Sequence, residues 1–236
     1  MNLLALPIVV PLGTAAIMLF APKRVLAQRW IALAGSAGLL ASGVALFSVV
    51  EGRGIQALQV SGWPAPFGIT LVADLLASLL VVAVGIVAVA VSTASFAGVD
   101  PRREAVGYHP LIQILLMGVT GAFLPGDLFN LYVFFEVMLV ASFVLMALHR
   151  NRAQLEAAFK YVTLNLIASS IFLTALGLLY GTAGTLNMAD LARIWPSIRT
   201  TGMDTVLAVL FVIAFSIKAG LFPLFFWLPA SYHTPP

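Results

Sequence analysis

Residues 75–97 read LLASLLVVAVGIVAVAVSTASFA and contain no charged side chain. As an α-helix this stretch would be about 34 Å long, enough to cross a hydrocarbon core of about 30 Å. With six further apolar runs, of which 111–126 is slightly short, the chain has seven candidate spans: residues 3–21, 30–50, 75–97, 111–126, 128–148, 161–184 and 205–228. The sequence therefore predicts an all-α integral membrane fold with about seven transmembrane helices, arranged as a single domain.

The overall composition excludes a soluble globular domain. Charged residues make up 9% and hydrophobic residues 61% of the 236 residues, whereas a soluble domain carries about 25% charged residues. The net charge of +3 is not arranged as a basic stripe with interleaved aromatics, so no nucleic-acid partner is predicted. The sequence contains no Cys and three dispersed His, which predicts no disulfide, no metal centre and no enzyme cofactor.

The basic residues in the loops predict an orientation in the cell membrane. Counted by alternate loops, one side carries Lys23, Arg24, Arg29, Arg102, Arg103, Arg150, Arg152 and Lys160, and the other carries Arg53, Arg193 and Arg199. The side richer in Lys and Arg belongs in the cytoplasm. We therefore expect the N-terminus outside, the C-terminal end of these residues inside, and a first span that is a retained anchor rather than a cleaved signal.

Two of the predicted outer connections have content of their own. Residues 61–67, SGWPAPF, form a loop rich in Pro and Gly with aromatic side chains suited to the membrane interface. Residues 186–195 place apolar side chains at helical spacing with Asp190 and Arg193 opposite, which predicts an amphipathic helix along the outer surface.

A carboxyl group lies deep in the fifth predicted span. Glu136 stands eight residues into residues 128–148, about 12 Å below its start. An ionised carboxylate at that depth costs about 2.5 to 3.5 kcal/mol, so Glu136 must be protonated, paired or in contact with internal water. The sequence favours a proton or cation path here, and leaves open a structural ion pair that fixes helix register or an incidental protonated side chain.

A lysine lies deep in the seventh predicted span, next to a predicted break. Lys218 is followed by Gly220 and by Pro223, which cannot donate a backbone hydrogen bond and crowds the preceding turn. Broken membrane helices line cavities, and transporters place their ion sites there. The alternative is a kink with a lysine that snorkels to the interface.

The two intramembrane charges are candidates for one site. Burial disfavours the charged form of each, whereas proximity favours both charged forms. A Glu136 and Lys218 pair would therefore act as a switch, because separation of the partners by a few ångströms would let the lysine release its proton.

Three further residues are possible proton relays: Lys160, Asp127 and His233. Asp127 either caps the fifth span or lies at a channel mouth. Lys160 either snorkels at the cytoplasmic edge of the sixth span or takes part in a relay, and His233 is predicted in a cytoplasmic loop.

Four polar residues are predicted to be structural. Asp74 precedes the third span and is expected to cap its helix. Asn165, Ser169 and Ser170 follow one another along the sixth span and are expected to pack helices together rather than carry protons.

Four strings resemble the family of D subunits of Mrp-type multisubunit sodium/proton antiporters. They are GDLFNLYVFFEVMLVASFVLMAL at 126–148, KYVTLNLIAS at 160–169, LLYGTAGTLNMADLA at 178–192 and FSIKAGLFPLFFWLPASYHTPP at 215–236. The wider family includes antiporter-like membrane subunits of respiratory complex I and of membrane-bound hydrogenases. The complex I relatives tend to have an acidic residue directly after WLP, where this chain has Ala230, so the match favours the antiporter.

The resemblance implies roles for the two buried charges and an architecture for the chain. Glu136 would modulate the protonation of Lys218, while protons cross along a central polar axis together with exchange of Na+ or a similar cation. Such subunits have fourteen helices. Residues 1–97 would be peripheral helices 1–3, and residues 109–236 would be most of the first antiporter-like unit, ending before helix 8.

The resemblance also implies partners and leaves alternatives. We expect the other subunits of a hetero-oligomeric antiporter and membrane lipid as partners, no cofactor, and no transport by residues 1–236 alone. One alternative is a proton-pumping subunit of a quinone- or hydrogenase-linked respiratory complex, and another is a scaffold subunit that does not transport. The chain is expected to be an enzyme component only in the respiratory case.

Overall fold

The computed structural model describes residues 3–20, 24–148, 152–198 and 201–231. A short 3-10 turn at Leu3–Ala5 precedes the first helix. The helices are α1 (Leu6–Leu19), α2 (Val25–Arg53), α3 (Leu75–Gly98), α4 (Pro101–Ala105), α5 (Tyr108–Phe123), α6 (Leu128–Met146), α7 (Arg152–Ala183), α8 (Met188–Ile198), α9 (Thr201–Ala219) and α10 (Trp227–Ser231), and the strands are β1 (Gln56–Gln59) and β2 (Thr70–Ala73).

The apolar helices coincide with the seven predicted spans. Five of them, α2, α3, α6, α7 and α9, are long and apolar enough to cross a membrane. Two shorter apolar segments, residues 3–19 and 108–123, occupy the other two spans. The predicted membrane fold is therefore confirmed. The sixth span differs in length, because α7 begins at residue 152 rather than 161.

Small residues allow the backbones of α2 and α3 to approach closely. A Cβ atom added to Gly85 would lie 2.7 Å from the Cα of Leu40, and one added to Gly43 would lie 3.1 Å from a methyl group of Val81. Helices pack in membranes through such small-residue contacts, because lipid tails are as apolar as the side chains.

A small β structure that was not predicted lies between α2 and α3. The strands β1 and β2 pair antiparallel around the loop of residues 61–67. The edge of β2 also bonds to the turn between α5 and α6: the Gly126 N–H donates to the Thr70 carbonyl at 2.7 Å and the Val72 N–H to the Leu124 carbonyl at 2.8 Å. Residues 56–73, 124–127 and 184–188 meet at one end of the helices, which we call the hairpin end.

A buried ion cluster lies toward the opposite end. Arg29 on α2 donates from Nε and Nη2 to the two carboxylate oxygens of Glu104 at 2.8 and 2.7 Å. His109 Nε2 lies 2.9 Å from the same carboxylate, which is fully buried. We call Arg29, Glu104 and His109 the triad. Burial would raise the pKa of Glu104, but the hydrogen bonds to Arg29 and His109 outweigh it and hold that pKa below its usual value.

The triad changes the interpretation of one basic residue. Arg29 counts in the sequence only as a positive loop charge, but it lies in the second turn of α2 and ties that helix to Glu104 on α4.

The amphipathic segment near residues 186–195 is helical, as predicted, and forms α8.

Candidate functional site

The two charges predicted inside the membrane lie together in the structure. The Nζ atom of Lys218 on α9 is 3.8 Å from Oε1 of Glu136 on α6. The side chains are 12% and 24% exposed, respectively. The two residues are far apart in the chain, so their contact depends on how α6, α7 and α9 pack.

A serine hydroxyl bridges the two charges. Ser169 on α7 is buried, and its hydroxyl donates a hydrogen bond to Oε1 of Glu136. The hydroxyl oxygen of Ser169 in turn accepts a hydrogen bond from Lys218 Nζ at 3.1 Å. Lys218, Ser169 and Glu136 therefore form a continuous hydrogen-bonded chain, which we call the bridged cluster. The ammonium group also lies 5.3 Å from the ring centre of Phe135, a favourable position for a cation over an aromatic face.

The end of α9 places Lys218 in the last helical turn. Gly220 has a φ of 64°, a conformation that favours glycine. Its N–H bonds to the Ile217 carbonyl at 3.1 Å, and the Leu221 N–H bonds to the Ser216 carbonyl at 2.9 Å. This is the Schellman pattern of a helix C-terminus, where the helix dipole favours a cation.

The helix ends just after Lys218, as predicted, and of the two residues named in the prediction Gly220 is the one at which it ends. The helix already ends at Ala219 because Gly220 turns the chain, and Pro223 lies beyond that turn. The indole Nε1–H of Trp227, the first residue of α10, donates to the Ile217 carbonyl at 2.7 Å and fixes α10 beneath the end of α9.

A cavity of about 520 Å³ borders Lys218. Its polar lining includes Ser142 on α6 and Tyr161 and Asn165 on α7, with Trp227 forming part of the wall. The Asn165 side-chain amide donates to the Tyr161 carbonyl at 2.9 Å. The rest of the lining is apolar. A cavity of this size has room for several water molecules, and those beside its few polar groups could exchange protons with Lys218.

Asp127 caps a helix at the hairpin end. Its carboxylate accepts from the Asn130 N–H at 2.7 Å and from the Thr70 N–H at 3.3 Å. Burial raises the pKa of Asp127, while these backbone hydrogen bonds oppose the rise. Asp74 caps α3 in the same way, with the Ala77 N–H at 2.7 Å, as predicted.

Lys160, another predicted relay residue, lies apart from the bridged cluster. Lys160 is half exposed and pairs with Glu156 one turn earlier on α7, at 2.7 Å. His233 lies outside the described residues. Among the residues that the structure describes, no group of three or more His, Cys, Asp or Glu side chains could hold a metal ion.

The sequence interpretation missed the role of Ser169 in this geometry. It treated Ser169 as a helix-packing residue, although Tyr161, Asn165 and Ser169 recur at intervals of four. That spacing places them on one face of α7, and the polar face was the available signal.

Comparisons with known proteins support the resemblance found in the motifs. Residues 125–236 match the family described as NADH:quinone oxidoreductase/Mrp antiporter, transmembrane region. The D subunit of the Na(+)/H(+) antiporter of Bacillus subtilis (strain 168) is 45% identical over 236 residues, which are 100% of this chain and 48% of that protein. The chain spans about half the length of the curated relatives it matches.

Two solved structures share the fold. A chain of the Mrp complex from Dietzia sp. DQ12-45-1b matches with a TM-score of 0.88 and 30% identity, covering 99% of this chain and 44% of that one. A chain of the membrane-bound sulfane sulfur reductase, an archaeal respiratory membrane complex, matches with a TM-score of 0.89 and 30% identity, covering 99% of this chain and 48% of that one. The expected relationship to antiporter-like membrane subunits is confirmed.

Proposed function

We propose that this chain, a relative of the D subunits of Mrp-type antiporters, carries part of the proton path of a multisubunit antiporter. The antiporter would exchange protons for Na+ or a similar cation, with the other subunits and membrane lipid as partners. The observation that carries the proposal is the bridged cluster, a hydrogen-bonded lysine, serine and glutamate beside a cavity that has some polar side chains in its lining. The chain would act as a transporter component and not as an enzyme.

The bridged cluster suits a short proton transfer. The Lys218 ammonium donates toward the Ser169 oxygen, and the Ser169 hydroxyl donates toward Glu136. If each proton moves along its hydrogen bond, the lysine becomes a neutral amine, the serine is unchanged and the glutamate becomes a carboxylic acid. Charges and atoms balance, and the transfer converts an ion pair into a neutral pair in a low-dielectric site.

The loose geometry of the charge pair suits such a transfer. A separation of 3.8 Å leaves the ion pair without a direct hydrogen bond, so less Coulomb energy is lost when both groups become neutral. The cavity beside Lys218 would then let water return a proton to the amine.

We also propose a division and an orientation for the chain. Residues 1–97 would be peripheral helices and residues 109–236 most of the first antiporter-like unit. With the N-terminus outside, the hairpin end faces outward. Asp127 lies at that end and Lys160 toward the other. Both residues, together with His233, would be relays between the bridged cluster and bulk water.

The test is exchange activity in the complete antiporter. Inverted vesicles containing every subunit would be energised, and the collapse of the proton gradient on addition of Na+ would be measured. Lys218→Ala and Glu136→Ala should each abolish the collapse at equal amounts of assembled complex. Arg193→Ala and Glu51→Ala, which remove exposed charges, are the matched controls and should leave it unchanged. Normal exchange in both site variants would instead indicate a scaffold role.

A second candidate is a proton-pumping subunit of a respiratory complex. The specific observation in its favour is the structural match to the archaeal respiratory membrane complex. The two are distinguished by purifying the native assembly: flavin or iron–sulfur absorbance together with no Na+-dependent exchange would favour the respiratory candidate.

A further inference from the structure

An aromatic cluster adjoins the bridged cluster on its hairpin side. Phe172 on α7 is fully buried at its centre. Its ring centre lies 5.1 Å from that of Phe215, 5.6 Å from Phe211, 6.0 Å from Tyr132 and 6.2 Å from Phe135. We call these five residues the aromatic plug. Most of the pairs are tilted or edge-on, the arrangement in which rings interlock and fill space.

The helix directions place the aromatic plug between the bridged cluster and the hairpin end. Phe172 follows Ser169 by about one turn on α7, which runs toward the hairpin end. Phe211 and Phe215 precede Lys218 by about two turns and one turn on α9, which runs away from it. All three rings therefore lie on the hairpin side of the lysine.

The cavity beside Lys218 lies on the other side. Phe135 and Phe215 are its boundary toward the hairpin end, whereas Ser142, Tyr161 and Trp227 line it toward the opposite end. The polar groups of the bridged cluster thus meet a water-sized space on one side and close-packed rings on the other.

The packing around the aromatic plug is apolar as well. Leu176 and Ala214 are buried in the same cluster, and Leu128, Leu131 and Leu186 pack against it. Beyond these residues lies the buried polar group of Asp127, Asn130 and Asn187 at the hairpin end. An apolar constriction between two polar regions excludes water and stops the movement of ions until it widens.

We propose that the aromatic plug is the barrier that separates the bridged cluster from the membrane face at the hairpin end, which we call the hairpin face. Phe172 is the central residue of this barrier. This inference rests on the proposed function, since a barrier matters only if the bridged cluster lies on a proton path. The cavity would then connect the site with the opposite face, and exchange with the hairpin face would require the rings to separate.

The first test measures access to the cavity and does not depend on transport. The chain has no natural Cys, so Ser142→Cys can report the cavity and Ala57→Cys, exposed on β1, can report the hairpin face. A charged, membrane-impermeant methanethiosulfonate reagent would be applied to right-side-out and inverted vesicles containing the complete complex. Ser142→Cys should react only from the face where Ala57→Cys does not. Reaction of Ser142→Cys from the hairpin face would overturn the proposal.

The second test removes the barrier. In the Ser142→Cys background, Phe172→Ala should allow reaction from both faces, and it should raise passive proton permeability several-fold without Na+. Phe211→Ala, at a less buried position of the same plug, should act in the same direction if Phe172→Ala fails to assemble. Phe143→Ala is the matched control, because Phe143 packs on the cavity side near Met146 and Tyr161.

The outcomes separate this inference from the proposed function. One outcome is that the Phe172→Ala and Phe211→Ala variants assemble, yet still show labelling of Ser142→Cys from one face only and unchanged proton permeability. That result would show that the plug is ordinary core packing. Two-sided reaction in those variants, with no Na+-dependent exchange in the unmodified complex, would support the barrier and contradict the antiporter.

Discussion

The triad and the bridged cluster are two charge clusters that differ in how closely their charged groups approach each other. In the triad, both carboxylate oxygens are held at 2.7 to 2.9 Å by an arginine and a histidine. In the bridged cluster, the opposite charges stand 3.8 Å apart and meet through a hydroxyl beside a cavity. A doubly bonded arginine pair fixes geometry, whereas a hydroxyl bridge allows protons to change partners. The difference teaches that burial of charge alone does not mark the functional site.

The largest expected effect comes from breaking the triad. Glu104→Ala leaves a partly exposed arginine and a buried histidine without their carboxylate, and loss of one partner of a buried charge cluster is strongly destabilising. We expect a strong fall in the amount and thermal stability of assembled complex, measured by quantitative immunoblot and by unfolding in detergent. Exchange per assembled complex should stay near normal. A stable variant with no exchange would place Glu104 on the ion path.

A smaller effect is expected from removing the hydroxyl bridge. Ser169→Ala leaves Lys218 and Glu136 in place but interrupts their hydrogen-bonded chain, and we expect about a tenfold slower exchange, equivalent to about 1.4 kcal/mol. Ser169→Thr should restore most of the rate. Initial exchange rates across a pH series would be compared with those of the unmodified complex.

The neighbouring serine provides the matched control for that change. Ser170 is exposed and donates to the carbonyl of Leu166 on its own helix, so Ser170→Ala should leave rate and pH profile unchanged. Equal losses in the Ser169 and Ser170 variants would mean that the bridge has no specific role.

A pH-dependent effect of moderate size is expected at the triad. Because the pKa of Glu104 is lowered in the folded state, this group stabilises the fold above the ordinary glutamate pKa of about 4.3. That contribution is lost as the pH falls through the lower, folded value. Melting temperatures between neutral and acidic pH should therefore fall more steeply in the unmodified protein than in Glu104→Gln. Parallel curves would contradict the assignment.

The smallest effect is expected at the exposed pair on α7. Lys160 and Glu156 lie 2.7 Å apart but are both largely exposed, and such pairs contribute little because water screens them. Glu156→Gln should change neither melting temperature nor assembly measurably. A clear loss of exchange in Lys160→Ala but not in Glu156→Gln would support Lys160 as a relay.

The spans and the end of α9 could be predicted because their causes are local. Each apolar run carries its own signal, and Gly220, with its positive φ, lies at the turn directly after α9. The hairpin was missed because β1 and β2 are four residues each, too short for a clear alternating pattern.

The contacts of the site could be predicted only in part. Electrostatics suggested that Glu136 and Lys218 form a pair, since each is costly alone in a membrane. The bridging role of Ser169 and the pairing of Arg29 with Glu104 depend on which helix faces meet, and a single sequence carries no signal for that. The roles of these residues remain predictions that the variants above address.

The hydrogen bond from the Trp227 indole has a mechanical consequence. It ends on the carbonyl of Ile217, the residue directly before Lys218, and that carbonyl also accepts the N–H of Gly220. A shift of α10 along its axis must therefore either break this bond or pull the turn that carries the lysine. The indole therefore couples the two segments mechanically, so that a movement of α10 also moves the Lys218 ammonium group.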